Sequence, residues 1–270
     1  MNLHLYAEVA AQYRSQSQKI RVLTERWVGI NTYCPACGSG VAKSPNNSRV
    51  LDFTCVSCGL TFELKSKKGQ PGSKVVNGAY RAVMDAITSG TQPNFFLLNY
   101  NADLFVRNLM LVPKRFIVPE IVEKRNPLAK TARRAGWVGC NLLVSILPPK
   151  SMIYYIKDGH VSEKTSILST WGSTVFLDDI NFTTRGWTIA VMSCVESLHK
   201  QVFTLEEMYG FVAHLESLFP RNRNVKPKIR QQLQILRDRG WLNFLGNGVY
   251  SLAEPTRDIG ISNVLLAKRL

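Results

Sequence analysis

Asp52-Phe53-Thr54-Cys55-Val56-Ser57-Cys58-Gly59-Leu60-Thr61-Phe62-Glu63-Leu64-Lys65 reads as two short strands joined by a cysteine knuckle, and the first half of the chain is organised around it. The runs Val50 to Thr54 and Leu60 to Lys65 carry the β-branched and aromatic residues that favour strands. Side chains alternate along a strand, so Glu63 and Lys65 share one face while Phe62 and Leu64 point to the other. Asp52, on the neighbouring strand, can face the same way. The pattern therefore predicts Asp and then Glu-x-Lys on adjacent strands, with an apolar residue between the two charges.

The knuckle is half of a larger arrangement. Cys34-Pro35-Ala36-Cys37 and Cys55-Val56-Ser57-Cys58 have the paired C-x-x-C form, and the gap between Cys37 and Cys55 lies in the range common to zinc sites. Each pair bends the backbone so that two thiolates reach one ion, and two pairs complete a tetrahedron. Gly38 and Gly59 follow the pairs directly, as tight turns favour. Cys34, Cys37, Cys55 and Cys58 are thus expected to bind a structural Zn2+, with no coordination position left for chemistry. Cys140 and Cys194 sit in apolar surroundings and read as packing.

The strand carboxylates suggest a second metal. Mg2+ takes oxygen ligands, and Asp52, Glu63 and the backbone carbonyl of Leu64 offer three while leaving places for water and phosphate. Lys65 would hold or help deprotonate an attacking water, and the metal would offset charge on the leaving oxygen, which is the chemistry of phosphodiester hydrolysis. A solvated strand face would show the same residues. Two details favour catalysis: this is the only Glu-x-Lys in the chain, and Lys65-Ser66-Lys67-Lys68-Gly69 continues it with a basic run, Lys67 and Lys68, suited to a phosphate backbone.

Around this stretch, helical spacing between Asn2 and Arg26 predicts one or two amphipathic helices. Ala79 to Thr88 reads as a helix; Asn94 to Tyr100, Leu109 to Val112 and Ser151 to Ile156 read as strands. Near Leu177 to Asn181 the pattern changes, and a boundary there divides the chain into residues 1–180, holding the 34–58 zinc finger, and residues 181–270. In the second part Trp187 to Leu198 is helical, Thr204 with Glu207 forms a capping box opening another helix, and a third helix runs from about Pro227 to Gly240. Trp241 to Leu245, Gly246-Asn247-Gly248 and Val249 to Leu252 form a hairpin, with Asn-Gly supplying positive φ. Three helices and a hairpin make a winged helix. Its third helix turns Ile229, Leu233 and Leu236 inward and Arg230, Gln231, Gln234 and Arg237 outward, and Gln and Arg are the side chains that read adenine and guanine edges in the major groove.

Composition agrees. Over 270 residues, 45% hydrophobic and 20% charged residues exclude a mainly disordered chain. Lys and Arg number 34 against 19 Asp and Glu, a formal charge of +15. The excess is spread over both parts, with 22 cations against 12 acids in residues 1–180 and 12 against 7 in residues 181–270. Such a field steers and holds a polyanion, so nucleic acid is the expected partner. In Thr131-Ala132-Arg133-Arg134-Ala135-Gly136-Trp137, Arg133 and Arg134 suit phosphates and Trp137 an apolar base surface, although residue statistics place Trp more often in a core. The N-terminus lacks a signal-peptide core and no apolar run spans a bilayer. A monomeric cytoplasmic protein is expected, with thiols kept reduced for metal.

The residues converge on a family. Phe62 to Gly69, Pro93-Asn94-Phe95-Phe96, Thr131 to Trp137, Arg185-Gly186-Trp187-Thr188-Ile189, Phe203-Thr204-Leu205-Glu206 and Ile229 to Asp238 resemble the DpnI-like methyl-directed (type IIM) restriction endonucleases. The resemblance implies an α/β PD-(D/E)XK nuclease domain with an embedded zinc finger, followed by a winged-helix DNA-binding domain. It implies Mg2+-dependent cutting of double-stranded DNA at GATC sites carrying N6-methyladenine. Asp52, Glu63 and Lys65 become the catalytic trio, and Trp137 the candidate for sensing the methyl group. Leu51 stands where the motif usually has Pro, and Ser162 to Asn181 and the extension beyond Leu252 match less well. Two alternatives remain open: a zinc-containing winged-helix regulator without nuclease activity, and a nuclease of the same fold with another target.

Overall fold

The computed structural model of the protein describes residues 1–44 and 51–253. A single turn at Ala7–Ala10 precedes α1 (Gln16–Asn31), the one long helix of the N-terminal stretch. Then come β1 (Val41–Lys43), β2 (Phe53–Cys55), β3 (Thr61–Lys68), β4 (Val75–Ala79), α2 (Tyr80–Ser89), β5 (Asn94–Tyr100) and β6 (Val106–Val112). The first half closes with β7 (Val122–Lys124), β8 (Gly139–Leu142), β9 (Ile153–Lys157), β10 (His160–Val161) and α3 (Lys164–Gly172).

Among the described residues, seven strands form one mixed sheet in the order β1-β2-β3-β5-β6-β9-β10. β3 and β5 are its parallel pair, with Glu63 opposite Phe95 and Lys65 opposite Leu97, and the other neighbours run antiparallel. A parallel pair needs a crossover, which β4 and α2 supply. α2 closes on Gly90, whose φ of 70° is open to glycine and whose N–H reaches the Ala86 and Ile87 carbonyls. β5 is buried at each of its residues, so its centre, Phe95 to Leu98, reads in sequence as a continuous apolar run. Its alternating side chains serve two cores. Phe96 and Leu98 join Phe62, Leu109 and Leu111 beneath α1 and α3, with Phe62 and Phe96 stacked at 5.0 Å. Phe95 and Leu97 join Met110, Val112 and Ile87 on the other face. A second sheet, β4-β8-β7, stands beside the first.

The second half contains α4 (Phe182–Ser197), β11 (Val202–Thr204), α5 (Leu205–Tyr209), α6 (Val212–Leu218), α7 (Val225–Asp238), β12 (Leu242–Gly246) and β13 (Val249–Leu252). Asn181 caps α4 by accepting the Thr184 N–H at 2.9 Å, and Thr204 and Glu207 form the expected reciprocal capping box. The single helix expected after Thr204 is instead two short ones: the Gly210 N–H turns back to Glu207 in a tight bond at 3.1 Å, where glycine gives the helix little support. The hairpin turns through Asn247 and Gly248 at φ 48° and 73°, and β11 adds a third strand in the order β11-β13-β12. The protein is thus a mixed α/β domain followed by a helix-turn-helix domain with a wing.

Two boundaries move. β2 starts at Phe53, leaving Asp52 just outside the strand, and Val50 lies outside the described residues. The extension beyond Leu252 is described only to Ala253. No helix among the described residues is long and apolar enough to cross a membrane.

Candidate active site

The four knuckle cysteines meet. Their sulfurs all lie within 4.8 Å of one another, with Cys34 to Cys58 and Cys37 to Cys55 at 3.5 Å. A tetrahedral ion bound at about 2.3 Å needs its sulfurs about 3.8 Å apart, so the four thiolates fit zinc with little movement. Gly38 and Gly59 both have φ of 73°, which lets each knuckle reverse while its N–H bonds back to the carbonyl of Cys34 or Cys55. The Lys164 ammonium, from α3, bonds the Gly38 carbonyl at 2.8 Å and pins the finger to the main sheet.

Asp52, Glu63 and Lys65 also come together, at the point where β2 parts from β3. The Asp52 N–H still bonds the Phe62 carbonyl at 3.0 Å, and its carboxylate turns back to accept the Leu64 N–H at 2.7 Å. Glu63 and Lys65 are ion-paired on their shared face. Burial lifts the Asp52 carboxyl above the ordinary carboxylate range, opposed by the Leu64 N–H and helped by the nearby Glu25 charge. Burial likewise lifts Glu63, with Lys65 opposing and Asp52 adding to the rise. Two half-buried carboxylates in mutual repulsion, with the Leu64 backbone between them, suit a hard divalent cation.

Sequence reasoning missed the other wall of this site. A cleft of about 630 Å³ is lined by Asp52, Glu63, Leu64 and Ser66 on one side and by Gln16, Arg21, Thr24 and Glu25 of α1 on the other. Glu25 is buried; burial acts to raise it, but hydrogen bonds from Lys43 and Arg21 outweigh this and hold it below the ordinary range. Its signal in the sequence was an acid placed inside the apolar stripe Leu23, Trp27 and Val28.

Burial lifts the Cys140 thiol of β8 above its ordinary range, opposed by the charges of Lys65 and Arg125. Arg125 and Trp137 flank Gly139, where a Cβ would lie 2.7 Å from Cη2 and Cζ3 of the indole, so only glycine leaves room for that ring edge. Trp137 is half-buried with the Arg134 guanidinium 4.6 Å from its ring centre, while Arg133 and Arg134 are exposed. Lys67 and Lys68, at the end of β3, are exposed too. On α7, Arg230, Gln231, Gln234 and Arg237 face solvent and Ile229, Leu233 and Leu236 are fully buried, as the spacing predicted. Tyr209 joins this surface: its hydroxyl accepts from Arg230, and Lys226 stands 4.9 Å from its ring centre.

A family model described as the Dam-replacing family matches residues 1–180, and a second, described as the Dam-replacing HTH domain, matches residues 183–252.

Proposed function

Because the chain belongs to the DpnI, or Dam-replacing, family and carries that family's helix-turn-helix domain, which makes it a restriction nuclease acting on DNA, we propose that it is a methyl-dependent type II endonuclease. Its substrate in this reading is double-stranded DNA at GATC sites carrying N6-methyladenine. Residues 1–180 form the cutting domain, of PD-(D/E)XK type, and residues 181–270 the anchoring domain.

The observation that carries the reading is the meeting of Asp52, Glu63 and Lys65 at one open sheet edge, with Asp52 held by the Leu64 N–H. Asp52, Glu63 and the Leu64 carbonyl would hold Mg2+, which when bound supplies charge stabilisation at the phosphate and its leaving oxygen. Lys65, now paired with Glu63, would turn to hold the attacking water and stabilise the hydroxide that forms as its proton leaves to solvent. Lys67 and Lys68 continue along β3, and Arg133 and Arg134 are exposed beside Trp137, so all four would grip backbone phosphates. The half-buried Trp137, packed over Gly139, has an apolar ring suited to a methyl group. Arg230, Gln231 and Gln234 on α7 would enter the major groove.

One gel tests this: a plasmid prepared with and without adenine methylation at GATC, incubated with Mg2+ or EDTA. Cutting of methylated DNA alone, and only with Mg2+, is the expected outcome. Cutting of both plasmids would keep the nuclease and discard methyl sensing, and tight binding without cutting would make the protein a regulator.

A further inference from the structure

We propose that Arg21 binds a backbone phosphate at the cleavage site, and that Glu25 and Lys43 exist to hold it there. The inference rests on the nuclease reading above.

Glu25 is the starting point. Its side chain is 5% exposed, and each of its oxygens is engaged by a different cation: Oε1 by the Arg21 Nε one helical turn earlier, and Oε2 by the Lys43 Nζ at 2.8 Å from β1. Burying a carboxylate between two cations is a poor way to gain stability, because desolvation cancels most of the attraction. It is an effective way to place a cation. Arg21 spends its inner edge, Nε, on Glu25 and so has its outer edge fixed in direction. The side chain is 70% exposed and lines the cleft that holds Asp52 and Glu63, and its Nη2 stands 3.8 Å from Asp52 Oδ1. α1 is itself keyed to the catalytic strand, with Thr24 Oγ1 3.4 Å from Ser66 Oγ of β3.

A guanidinium anchored on one edge and open on the other presents a planar fork of donors, which matches phosphate geometry. A lone cation this close to Asp52 would work against metal binding. A phosphate lying between Arg21 and a metal ion held by Asp52 and Glu63 would remove that conflict, since the anion attracts both cations. Among the cations of the described residues, Arg21 and Lys65 are the two that line or pair with the Asp52 and Glu63 carboxylates, and Lys65 is committed to the water.

The test is single-turnover cleavage of a methylated GATC duplex over a Mg2+ titration, with wild type, Arg21→Ala, Arg21→Lys and Glu25→Gln, and with Asp52→Ala as the inactive control. Arg21→Ala should lower the rate at saturating Mg2+ by about 100-fold, with Arg21→Lys falling between it and wild type and Glu25→Gln reduced because the fork is no longer held. In Ca2+, binding of the same duplex to Arg21→Ala should show a salt dependence shallower by about 0.9 in log–log slope, the share of one phosphate. If Arg21 only screens Asp52, the alanine variant would keep its saturated rate and need less Mg2+, and the proposal would fall. A drop in melting temperature with unchanged rate and salt slope would reduce Arg21 to a structural residue and overturn it equally. A wild type that cuts nothing would remove the nuclease reading and the proposal with it.

Discussion

Asp52 shows how little of a side chain's role is decided by its own strand. It lies one residue before β2, and its carboxylate is aimed by a hydrogen bond from the Leu64 N–H. Replacing it with alanine removes an oxygen ligand and leaves the basic surfaces untouched. Asp52→Ala should therefore lower cleavage by at least about 10²-fold while binding to methylated DNA persists, measured by single-turnover digestion beside a gel shift. Glu120 supports a different prediction. It lies beside Gly186 of α4, where a Cβ would lie 2.7 Å from Oε2, and that buried oxygen has no hydrogen-bond partner among the described residues. Burial lifts its carboxyl above the ordinary range, opposed by a bond from its own N–H. The folded protein thus holds this proton more tightly than the unfolded chain does. The penalty is absent below the ordinary carboxylate pKa and sets in as pH rises through the raised value. Glu120→Gln should accordingly raise the melting temperature at pH 8 by about 2–4 °C and leave it nearly unchanged near pH 4; an equal gain at both values would locate the effect elsewhere. Both carboxylates were visible as letters, yet Asp52 stood out by its spacing from Glu63, whereas Glu120 had no pattern because its environment is made by a helix far along the chain.

The elements divide in the same way. The zinc finger was legible because the knuckles, their glycines and the gap between them are all local. Cys58→Ser should lose zinc stoichiometry by mass spectrometry or atomic absorption and lower the melting temperature of the cutting domain; unchanged melting would mean that the thiolates do not fasten the fold. β5, β6 and β9 were legible as apolar runs, α7 as a stripe of Ile229, Leu233 and Leu236, and the wing by Asn247-Gly248. The second sheet was not. β4, β7 and β8 are short, and β8 pairs with β4 across some sixty residues of sequence, so neither periodicity nor a turn marks it. Without that sheet the sequence offered no reason for Trp137 and Arg125 to meet at Gly139. α1 was expected as an amphipathic helix, with no role read for its polar side. In the fold that side is the far wall of the cleft.

The two halves share one core. α4 buries nine of its residues, and seven of them belong to a single cluster that also contains Phe95, Leu97 and Val112 of the main sheet and Ile229 and Leu233 of α7. Trp187 stacks on Phe219 at 4.0 Å, the Thr188 hydroxyl bonds the buried Gln232 at 2.8 Å, and Asp179 reaches Arg239 at 3.5 Å. A chain ending at residue 180 would leave the Phe95 and Leu97 face of the sheet open to water. It should bind a hydrophobic dye and melt without cooperativity, whereas a sharp two-state melt would show that the first half stands alone. What could be read from residues alone were the groups whose partners lie within a knuckle, a hairpin or one strand pair, because local geometry depends on neighbouring residues: the zinc ligands, the Glu63 and Lys65 face, the exposed side of α7. What the tertiary structure decided was everything set by packing between distant segments. It placed Glu25 and Arg21 across the cleft from Asp52, packed the Trp137 edge on Gly139, and made α4 the common wall of both halves. Burial and electrostatic range are properties of three-dimensional distance, and a linear pattern carries that information only where the chain turns back on itself at once.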